Sequence, residues 1–581
     1  MSILHPHLSL PQNDGFLERE ERKVELGAAR HIYTYTMVDG LPMPMASTKT
    51  AIAATDLNWA KRQVLNTAKI EADLLAFDLL WKAKGGLERF PNLASFTDLF
   101  VTEPTSEVSQ GWASDASFAG QRTAGLNPLA LHGVTANGAS GIGWSELKPK
   151  LGDAFLAAAE KELSTSFDGA IAAGRLFACD YAELAEAGVT GKDDAGAQAG
   201  RVLMAPIGLF YSPENQPCLK PLGIQLDQPG AGPWATPQAS EGTTWQAAKV
   251  FFQAADVSIN QIVNHLGMVH LIQSSFAVAT VRQLALQHPV HALLTPHYTA
   301  LLSINAVGES SLLAAGGIVD QILEPGLEGG ERLIQRAYEA WQFFDLEPEG
   351  DLCRRGCADT KTLPNYPYRD DGLLIWNTIC DYVHDYLTIF YGDPASDPEG
   401  VRKAVEGDYE LQAWASELSR DVGGKGNVPG FPSQIGDFET LQRVIQLLIW
   451  IAGPRHACVN FPQVDYTSFV PNQPTAVYLL PDAPSDQFVL DMMPPVDKAR
   501  TQYKVSFQLA GLHLDELLDY GHRFQGSGLN AKARDLIDTY KGKLDRAVTS
   551  EIKRRNLERQ RRGQLAYPYF LPANIPNSTS V

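Results

Sequence analysis

Apolar residues recur at helical spacing along most of this chain. They fall three and four positions apart between residues 58 and 81, which predicts an amphipathic helix. Short apolar runs near 202–211 and 222–226 favour strands. Further helical patterns follow at about 297–307, 328–345, 372–391, 437–452 and 529–562. The pattern therefore predicts a mainly α protein with small β elements.

The stretch 244–287 differs from the other helical patterns. It contains no proline and a single glycine, and its apolar residues lie on most sides of the helix, which is typical of a buried element rather than a surface one. Pro289 ends the pattern. Because no repeat or interdomain linker follows residue 240, we predict one large helical domain at 51–581, built around this central helix and preceded by an N-terminal extension at 1–50.

Composition and charge narrow the range of partners and compartments. The 581 residues are 44% hydrophobic and 20% charged, as in an ordinary folded protein, and the net charge of −19 argues against nucleic acid. The basic run 553–562 lies in a helical pattern, so we expect a solvated face that pairs with acidic neighbours. Six cysteines in so long a chain predict reduced thiols. With no signal peptide and no membrane span in the sequence, we expect a cytoplasmic protein.

The central helix carries two histidines in an apolar setting, His265 and His270. Residues five apart point about 140° away from each other on an ideal α-helix. A π-type bulge would bring both rings to one side, and such bulges occur at functional sites. The spacing alone leaves two interpretations open, a metal site or two structural histidines satisfied by backbone groups.

A second group of polar residues follows the apolar run 444–452. His456 and Asn460 are four positions apart and share one helical face. Imidazole nitrogens with oxygen ligands and no thiolate suit iron or manganese. The tail 567–581 is apolar and rich in proline, whereas most termini are polar and frayed. The ionised carboxylate of Val581 could therefore reach the same metal as a hard oxygen ligand.

Together these motifs resemble the lipoxygenase family, and the resemblance covers roughly residues 60–581. It includes His265, His270, His456, Asn460 and the segments at 118–122, 205–211, 245–249, 279–284, 288–289, 304–305, 355–356, 363–373 and 575–578.

The resemblance implies a non-haem iron dioxygenase that converts polyunsaturated fatty acids of the linoleate, linolenate or arachidonate type into hydroperoxides. The implied iron ligands are His265, His270, His456, Asn460 and the Val581 carboxylate. In the family mechanism an Fe(III)-bound hydroxide removes a hydrogen atom from the fatty acid, and O2 adds to the opposite face. The family usually ends in isoleucine, and valine is found in fungal members that contain manganese, so manganese is the second candidate.

Two positions of the family pattern concern the oxygen path. Gly308 occupies the place where glycine accompanies R products and alanine accompanies S products, so the resemblance predicts an R-hydroperoxide. Leu312, one turn further on, matches the residue that walls the oxygen channel. The resemblance also implies a set of substrate-binding residues: Val257, Leu266, Ile304, Val319, Ile322 and Leu323.

Arg122 is a candidate partner for the substrate carboxylate, with a structural ion pair as the alternative. His288, His291 and His297 match no ligand position, and we assign them to packing or surface roles.

The first ligand histidine comes too early to leave room for the N-terminal β-barrel of animal and plant lipoxygenases. We therefore expect the catalytic domain alone, with any peripheral membrane contact made by the N-terminal helical region. Two alternatives remain at this point. One is a hydroperoxide isomerase that forms epoxyalcohols, and the other is a non-catalytic lipid-binding relative.

Overall fold

The computed structural model describes residues 7–47, 56–188, 200–479 except 215, 217, 231 and 241, and 486–581. The predicted boundary between residues 50 and 51 lies outside this part of the chain. Helices dominate, as the periodicity predicted. The α-helices before the central helix are Phe16–Ile32, Asp56–Ala83, Glu107–Gln110, Asp115–Ala124, Trp144–Leu147, Asp153–Glu160, Phe167–Ala172 and Glu183–Ala187.

The α-helices between the central helix and residue 418 surround it and supply much of the core. They are Pro289–Leu294, Leu301–Ser311, Ile318–Ile322, Gly326–Ala340, Pro348–Arg354, Pro367–Asp370, Gly372–Tyr391, Pro398–Glu406 and Tyr409–Leu418. The last group is Phe438–Trp450, His456–Asn460, Pro462–Tyr466, Asp486–Met492, Val496–Ala510, Leu529–Lys543 and Thr549–Arg561.

A small sheet packs beside the helical body. Its six strands lie in the order Ile142–Gly143, His132–Thr135, Leu176–Asp180, Ile207–Tyr211, Lys220–Gln225 and Trp234–Ala235. All neighbours pair antiparallel except the first two, which are parallel. A separate pair joins Tyr35–Thr36 to Met45–Ala46. The two strands that the sequence predicted near 202–211 and 222–226 are confirmed.

The central helix is one continuous run of three parts: α-helical Gly242–Ile259, π-helical Asn260–Leu271 and α-helical Ile272–Gln283. It stops four residues before the predicted end because Leu284 is extended. Its span Thr244–Gln283 is the one described helix long and apolar enough to cross a membrane, and 83% of its most apolar window is buried inside the protein. The prediction of a buried central helix with a π-bulge is confirmed.

A second helical run faces the π-helical part of the central helix. It comprises Phe438–Trp450, a π-helical turn at Ile451–Arg455 and His456–Asn460. The side chain of Asn260 donates a hydrogen bond to the Val459 carbonyl at 2.9 Å, which ties the two runs together at their irregular segments. Both unusual turns therefore lie at the same place in the core.

The basic run near the C-terminus behaves as predicted from its charge pattern. Arg554 pairs with Glu551 and Glu558 on its own helix. Arg555 and Arg559 both reach the fully buried carboxylate of Asp371. The cations therefore hold the last long helix against the body of the protein.

Candidate active site

Three buried histidines meet where the central helix faces the second run. His265, His270 and His456 offer ring nitrogens that all lie within 4.8 Å of one another. The π-helical turn brings the first two together, with their Nε2 atoms 3.1 Å apart. The i, i+5 spacing thus brings both rings to one point, as the π-bulge interpretation requires.

The Nδ1 atoms of the two central-helix histidines have fixed partners. His265 Nδ1 lies 3.3 Å from the side-chain oxygen of Gln261, and His270 Nδ1 lies 3.2 Å from that of Asn305. An amide oxygen only accepts, so each Nδ1 donates and each Nε2 carries a lone pair. Two lone pairs that face each other at 3.1 Å repel unless a cation lies between them. Hydrogen bonding of the outer ring nitrogen in this way is usual for metal-ligating histidine.

His456 gives the strongest indication that these residues fit a metal ion. Its side chain is fully buried, and neither ring nitrogen has a hydrogen-bond partner of good geometry. Leaving a buried polar group unsatisfied costs about 1–3 kcal/mol, so a ligand for these nitrogens is expected. Burial lowers the pKa of His270 to about 4. Burial also lowers the pKa values of His265 and His456 well below the usual value, and the positive charge that neighbouring histidines would carry lowers them further. All three rings are therefore neutral, as metal ligation requires.

The C-terminal tail enters the same site. Val581 is 2% exposed, and its main-chain oxygen lies near enough to His270 and His456 to oppose the lowering of their pKa values. Asn460 is buried on the face it shares with His456, and its side-chain oxygen accepts a hydrogen bond from Gln463 at 2.6 Å. The second lone pair of that oxygen remains available for a metal.

Hydrogen bonds from several elements hold the tail in place. Thr579 Oγ1 donates to the Ala452 carbonyl at 3.1 Å and accepts from Gln273 of the central helix at 2.7 Å. The indole N–H of Trp59 donates to the Ser580 carbonyl at 2.6 Å. Ser580 is thus held by the helix Asp56–Ala83, and Thr579 is held by the central helix and by the second helical run.

His265 and His270 line a cavity of about 460 Å³ whose walls are mostly apolar. Most of the residues that the resemblance placed in the substrate pocket or oxygen path line it: Leu266, Ile304, Gly308, Leu312, Val319, Ile322 and Leu323. Val581, predicted as a metal ligand, lines it as well. The volume falls in the range usual for small-molecule sites. The site therefore joins a nitrogen and oxygen ligand set to an apolar chamber.

Two of the predicted substrate-binding residues, Val257 and Arg122, do not line the cavity. Val257 is fully buried in the core, one turn before the π-helical part, and takes no part in the lining. Arg122 is fully buried in an ion pair with Asp256 at 2.7 Å, and its guanidinium also contacts Gln253. The structural alternative therefore holds for Arg122, because its charge is already satisfied in the core.

Two helices whose part in the site was not predicted from the sequence form another wall of the cavity. Asp56–Ala83 contributes Trp59, Gln63 and Thr67, and Val496–Ala510 contributes Lys504 and Leu509. Gln261 and Asn305, which orient the ligand histidines, were also missed as site residues. Asn305 belonged to the family pattern, but local spacing gives no sign that it contacts His270, 35 positions away.

The three downstream histidines do not join the cluster. All are buried, and His288 pairs with Asp408 at 2.9 Å. His291 and His297 each place Nδ1 2.7 Å from a main-chain carbonyl. The assignment of these residues to packing roles agrees with their positions.

The sequence is similar to those of known lipoxygenases. The family model described as lipoxygenase matches residues 95–571. A linoleate 9/13-lipoxygenase of Pseudomonas aeruginosa is 31% identical, over 96% of this chain and 79% of its own length. The polyunsaturated fatty acid lipoxygenase ALOX15B of Rattus norvegicus is 28% identical, over 97% of this chain and 80% of its own length.

Solved structures give the same result for the fold. A coral 8R-lipoxygenase matches with a TM-score of 0.84 at 25% identity and covers 99% of this chain and 83% of its own. A lipoxygenase in complex with arachidonate matches with a TM-score of 0.85 at 26% identity, with the same coverage of both chains. The chain therefore belongs to the lipoxygenase family of non-haem iron dioxygenases.

Proposed function

We propose that this protein binds one iron ion and oxygenates polyunsaturated fatty acids to R-configured hydroperoxides. The observation that carries the proposal is the cluster of His265, His270 and His456, with Val581 beside it, next to an apolar cavity. The orphaned nitrogens of His456 fit a metal ion at this point. Iron, when bound, supplies the one-electron oxidant for removal of a hydrogen atom from a bis-allylic carbon.

The protein's own residues bind and shape the substrate. Leu266, Ile304 and Leu323 form apolar walls that hold an acyl chain beside the histidines and keep water away from it. Gln261 and Asn305 keep the Nδ1 protons of His265 and His270 in place, so their Nε2 lone pairs stay directed into the site. Gly308 leaves space beside Leu312, where O2 can approach one end of the substrate radical.

The assignment of R chirality to the product is based on Gly308 and on one similar structure. The Leu301–Ser311 helix places Gly308 at the cavity, and among the described residues only the Leu312 side chain lies within 4 Å of the position that a Cβ would take. A coral protein whose name specifies 8R chirality is among the similar structures. Both observations support the R assignment.

Oxygen uptake and metal content test the proposed function together. The purified protein is expected to contain about one iron per chain, to consume O2 in the presence of linoleate or arachidonate and to form a conjugated diene. Elemental analysis distinguishes iron from manganese. Conversion of added hydroperoxides to epoxyalcohols without O2 uptake would instead favour the isomerase, and fatty acid binding without turnover would favour the lipid-binding relative.

The substrate carboxylate has a different candidate partner from Arg122. Lys504 is the one permanently positive side chain among the described residues that line the cavity. It pairs with Glu71, and the two side chains are 29% and 44% exposed. An ion pair this exposed contributes about 0–1 kcal/mol, so a fatty acid carboxylate can displace Glu71. We propose that Lys504 binds the carboxylate at the cavity mouth.

Replacing Lys504 with glutamine tests this role. Since an exposed ion pair contributes up to about 1 kcal/mol, we expect Lys504→Gln to raise KM for the free fatty acid by roughly fivefold and to leave kcat unchanged. KM for the methyl ester, which has no charge to pair, should stay within twofold. Lys498→Gln on the same helix serves as the control. Equal changes for acid and ester would contradict the assignment.

A further inference from the structure

A second cavity lies beside the first and has no part in the proposed function. It encloses about 340 Å³, which falls in the range usual for small-molecule sites. The helices Asp56–Ala83 and Val496–Ala510 line both cavities, but the two share no lining residue. Pro568, Tyr569 and Asn574 of the C-terminal tail also line the second cavity.

One wall of the second cavity also contacts the candidate metal site. Phe461, which follows Asn460, lines the cavity. Its ring packs edge to face on the ring of His456 with centroids 5.8 Å apart, and it stacks on the ring of His513 with centroids 4.2 Å apart. A molecule in the second cavity would therefore be separated from His456 by one aromatic ring.

Four aromatic residues line the second cavity: Phe461, Tyr503, Phe507 and Tyr569. Tyr503 and Phe507 lie one turn apart on the same helix, with ring centroids 4.7 Å apart. The faces of such rings attract ammonium groups within about 6 Å, and clustered rings recognise organic cations. Ile70 and Val464 add apolar surface, which suits the methylene chain of an alkylammonium.

The charged residues of the second cavity favour a cation. Asp73, Glu103 and Asp465 line it, against Lys69 as the one lysine or arginine among its described lining residues. Lys69 pairs with Glu103, but its side chain is 68% exposed, and an ion pair this exposed contributes little to stability. A ligand cation can therefore displace Lys69 from Glu103. The described lining of the first cavity, by contrast, contains no aspartate or glutamate.

Asp465 offers a carboxylate oxygen that is free to bind a ligand. Tyr569 donates a hydrogen bond to its Oδ2 at 2.5 Å and so fixes the group. No hydrogen bond or ion pair from the described residues reaches its Oδ1. Asp73 has both oxygens occupied, since it accepts from the Thr102 N–H at 2.9 Å and from the Tyr503 hydroxyl at 2.7 Å. Asp465 and Glu103 are therefore the acceptors available to a ligand.

The placement of the carboxylates distinguishes an organic cation from a metal ion. Among the described residues, the three histidines of the metal site form the one group of three or more ligating side chains whose atoms all lie within 4.8 Å of one another. The carboxylates of the second cavity do not converge in this way, so they form no compact set of oxygen ligands for a metal. Separate acceptors beside aromatic rings suit two ammonium groups joined by an apolar chain.

We propose that the second cavity binds an aliphatic diamine. One ammonium group binds Asp465 beside the ring of Tyr569, and the other takes the place of Lys69 at Glu103. The methylene chain between them packs against the apolar and aromatic walls. The proposal is independent of the proposed function, because it concerns residues that the first cavity does not use.

Isothermal titration calorimetry of the intact protein with 1,4-diaminobutane tests the site. One diamine per chain is expected to bind, whereas 1,4-butanediol, which has the same carbon chain but no charge, should not. Asp465→Asn should weaken binding about tenfold or more, because a hydrogen bond to a charged acceptor is roughly twice as strong as a neutral one. Lys69→Gln should strengthen binding roughly two- to fivefold, because the diamine no longer competes for Glu103. A structural defect would not produce changes of opposite sign at two lining residues.

Each variant has a matched control outside the second cavity. Asp385→Asn removes the charge of another aspartate that accepts a tyrosine hydroxyl, from Tyr540 at 2.7 Å. Lys84→Gln breaks another exposed ion pair, with Asp98 at 2.8 Å. Both controls should change the affinity by less than about twofold, since substitutions at distant sites act independently.

Three outcomes would overturn the proposal. They are a wild-type protein that does not bind the diamine, an Asp465→Asn variant that binds it as well as the wild type, and a titration with calcium chloride in which one Ca²⁺ per chain binds and is lost in Asp465→Asn, because a metal ion would then be the occupant. Oxygen uptake on a dispersed fatty acid is measured in parallel. Normal uptake without diamine binding would contradict only the second site, whereas diamine binding without oxygen uptake would contradict only the proposed function.

Discussion

Adding a single glycine after Val581 is expected to release the metal and to abolish turnover. Val581 is buried beside His270 and His456, so an added residue would enter the site itself. One added residue moves the carboxylate by up to about 3.8 Å and leaves a neutral peptide group in its place. Loss of a residue that only supports a ligand lowers metal affinity about 10–100-fold. Loss of the ligand itself should therefore lower metal affinity on the order of 1,000-fold.

Metal content and turnover should fall together in the extended protein. Elemental analysis after dialysis against a chelator gives the metal content, and oxygen uptake gives the rate. The same glycine added at the N-terminus is the control and should change neither quantity. Circular dichroism should stay that of a folded helical protein, since the bonds from Gln273 and Trp59 to the tail precede the added residue. Full metal content with normal turnover would exclude the Val581 carboxylate as a ligand.

Local periodicity carried most of the helix predictions. The pattern at 372–391 matches the helix Gly372–Tyr391 residue for residue, because its apolar positions repeat without interruption and Gly392, at φ 95°, ends it. The π-helical part of the central helix was predictable for a chemical reason. Two histidines five apart in an apolar helix share a site only when the helix is widened there.

Contacts between distant parts of the chain could not be predicted from local periodicity. The ion pair of Arg122 and Asp256 joins residues 134 positions apart, and the sequence around either residue does not predict its partner. Val257 shows the related difficulty for apolar residues. Core and cavity wall use the same side chains, so only the placement of the surrounding helices decides which of the two a valine belongs to.

Gly308→Ala is expected to shift the product from the R toward the S hydroperoxide. A Cβ at this position would meet only the Leu312 side chain, at 3.8 Å, which is ordinary van der Waals contact. The methyl group therefore fits without displacing the helix and fills the space that O2 needs. One methylene-sized change in an apolar site is worth about 1–3 kcal/mol, so the R-to-S ratio should change roughly 10–200-fold.

Chiral chromatography of the hydroperoxides measures this ratio. Reduced stability cannot produce the shift, because alanine is about 1 kcal/mol more favourable than glycine within a helix. Ala306→Gly is the matched control: it makes the opposite change at an exposed position of the same helix, outside the cavity lining, and should leave the ratio unaltered. An S product from the wild type would contradict the R assignment. An R product from both the wild type and Gly308→Ala would show that another wall of the cavity directs O2, and the Leu312 side chain, which faces Gly308, would be the next position to vary.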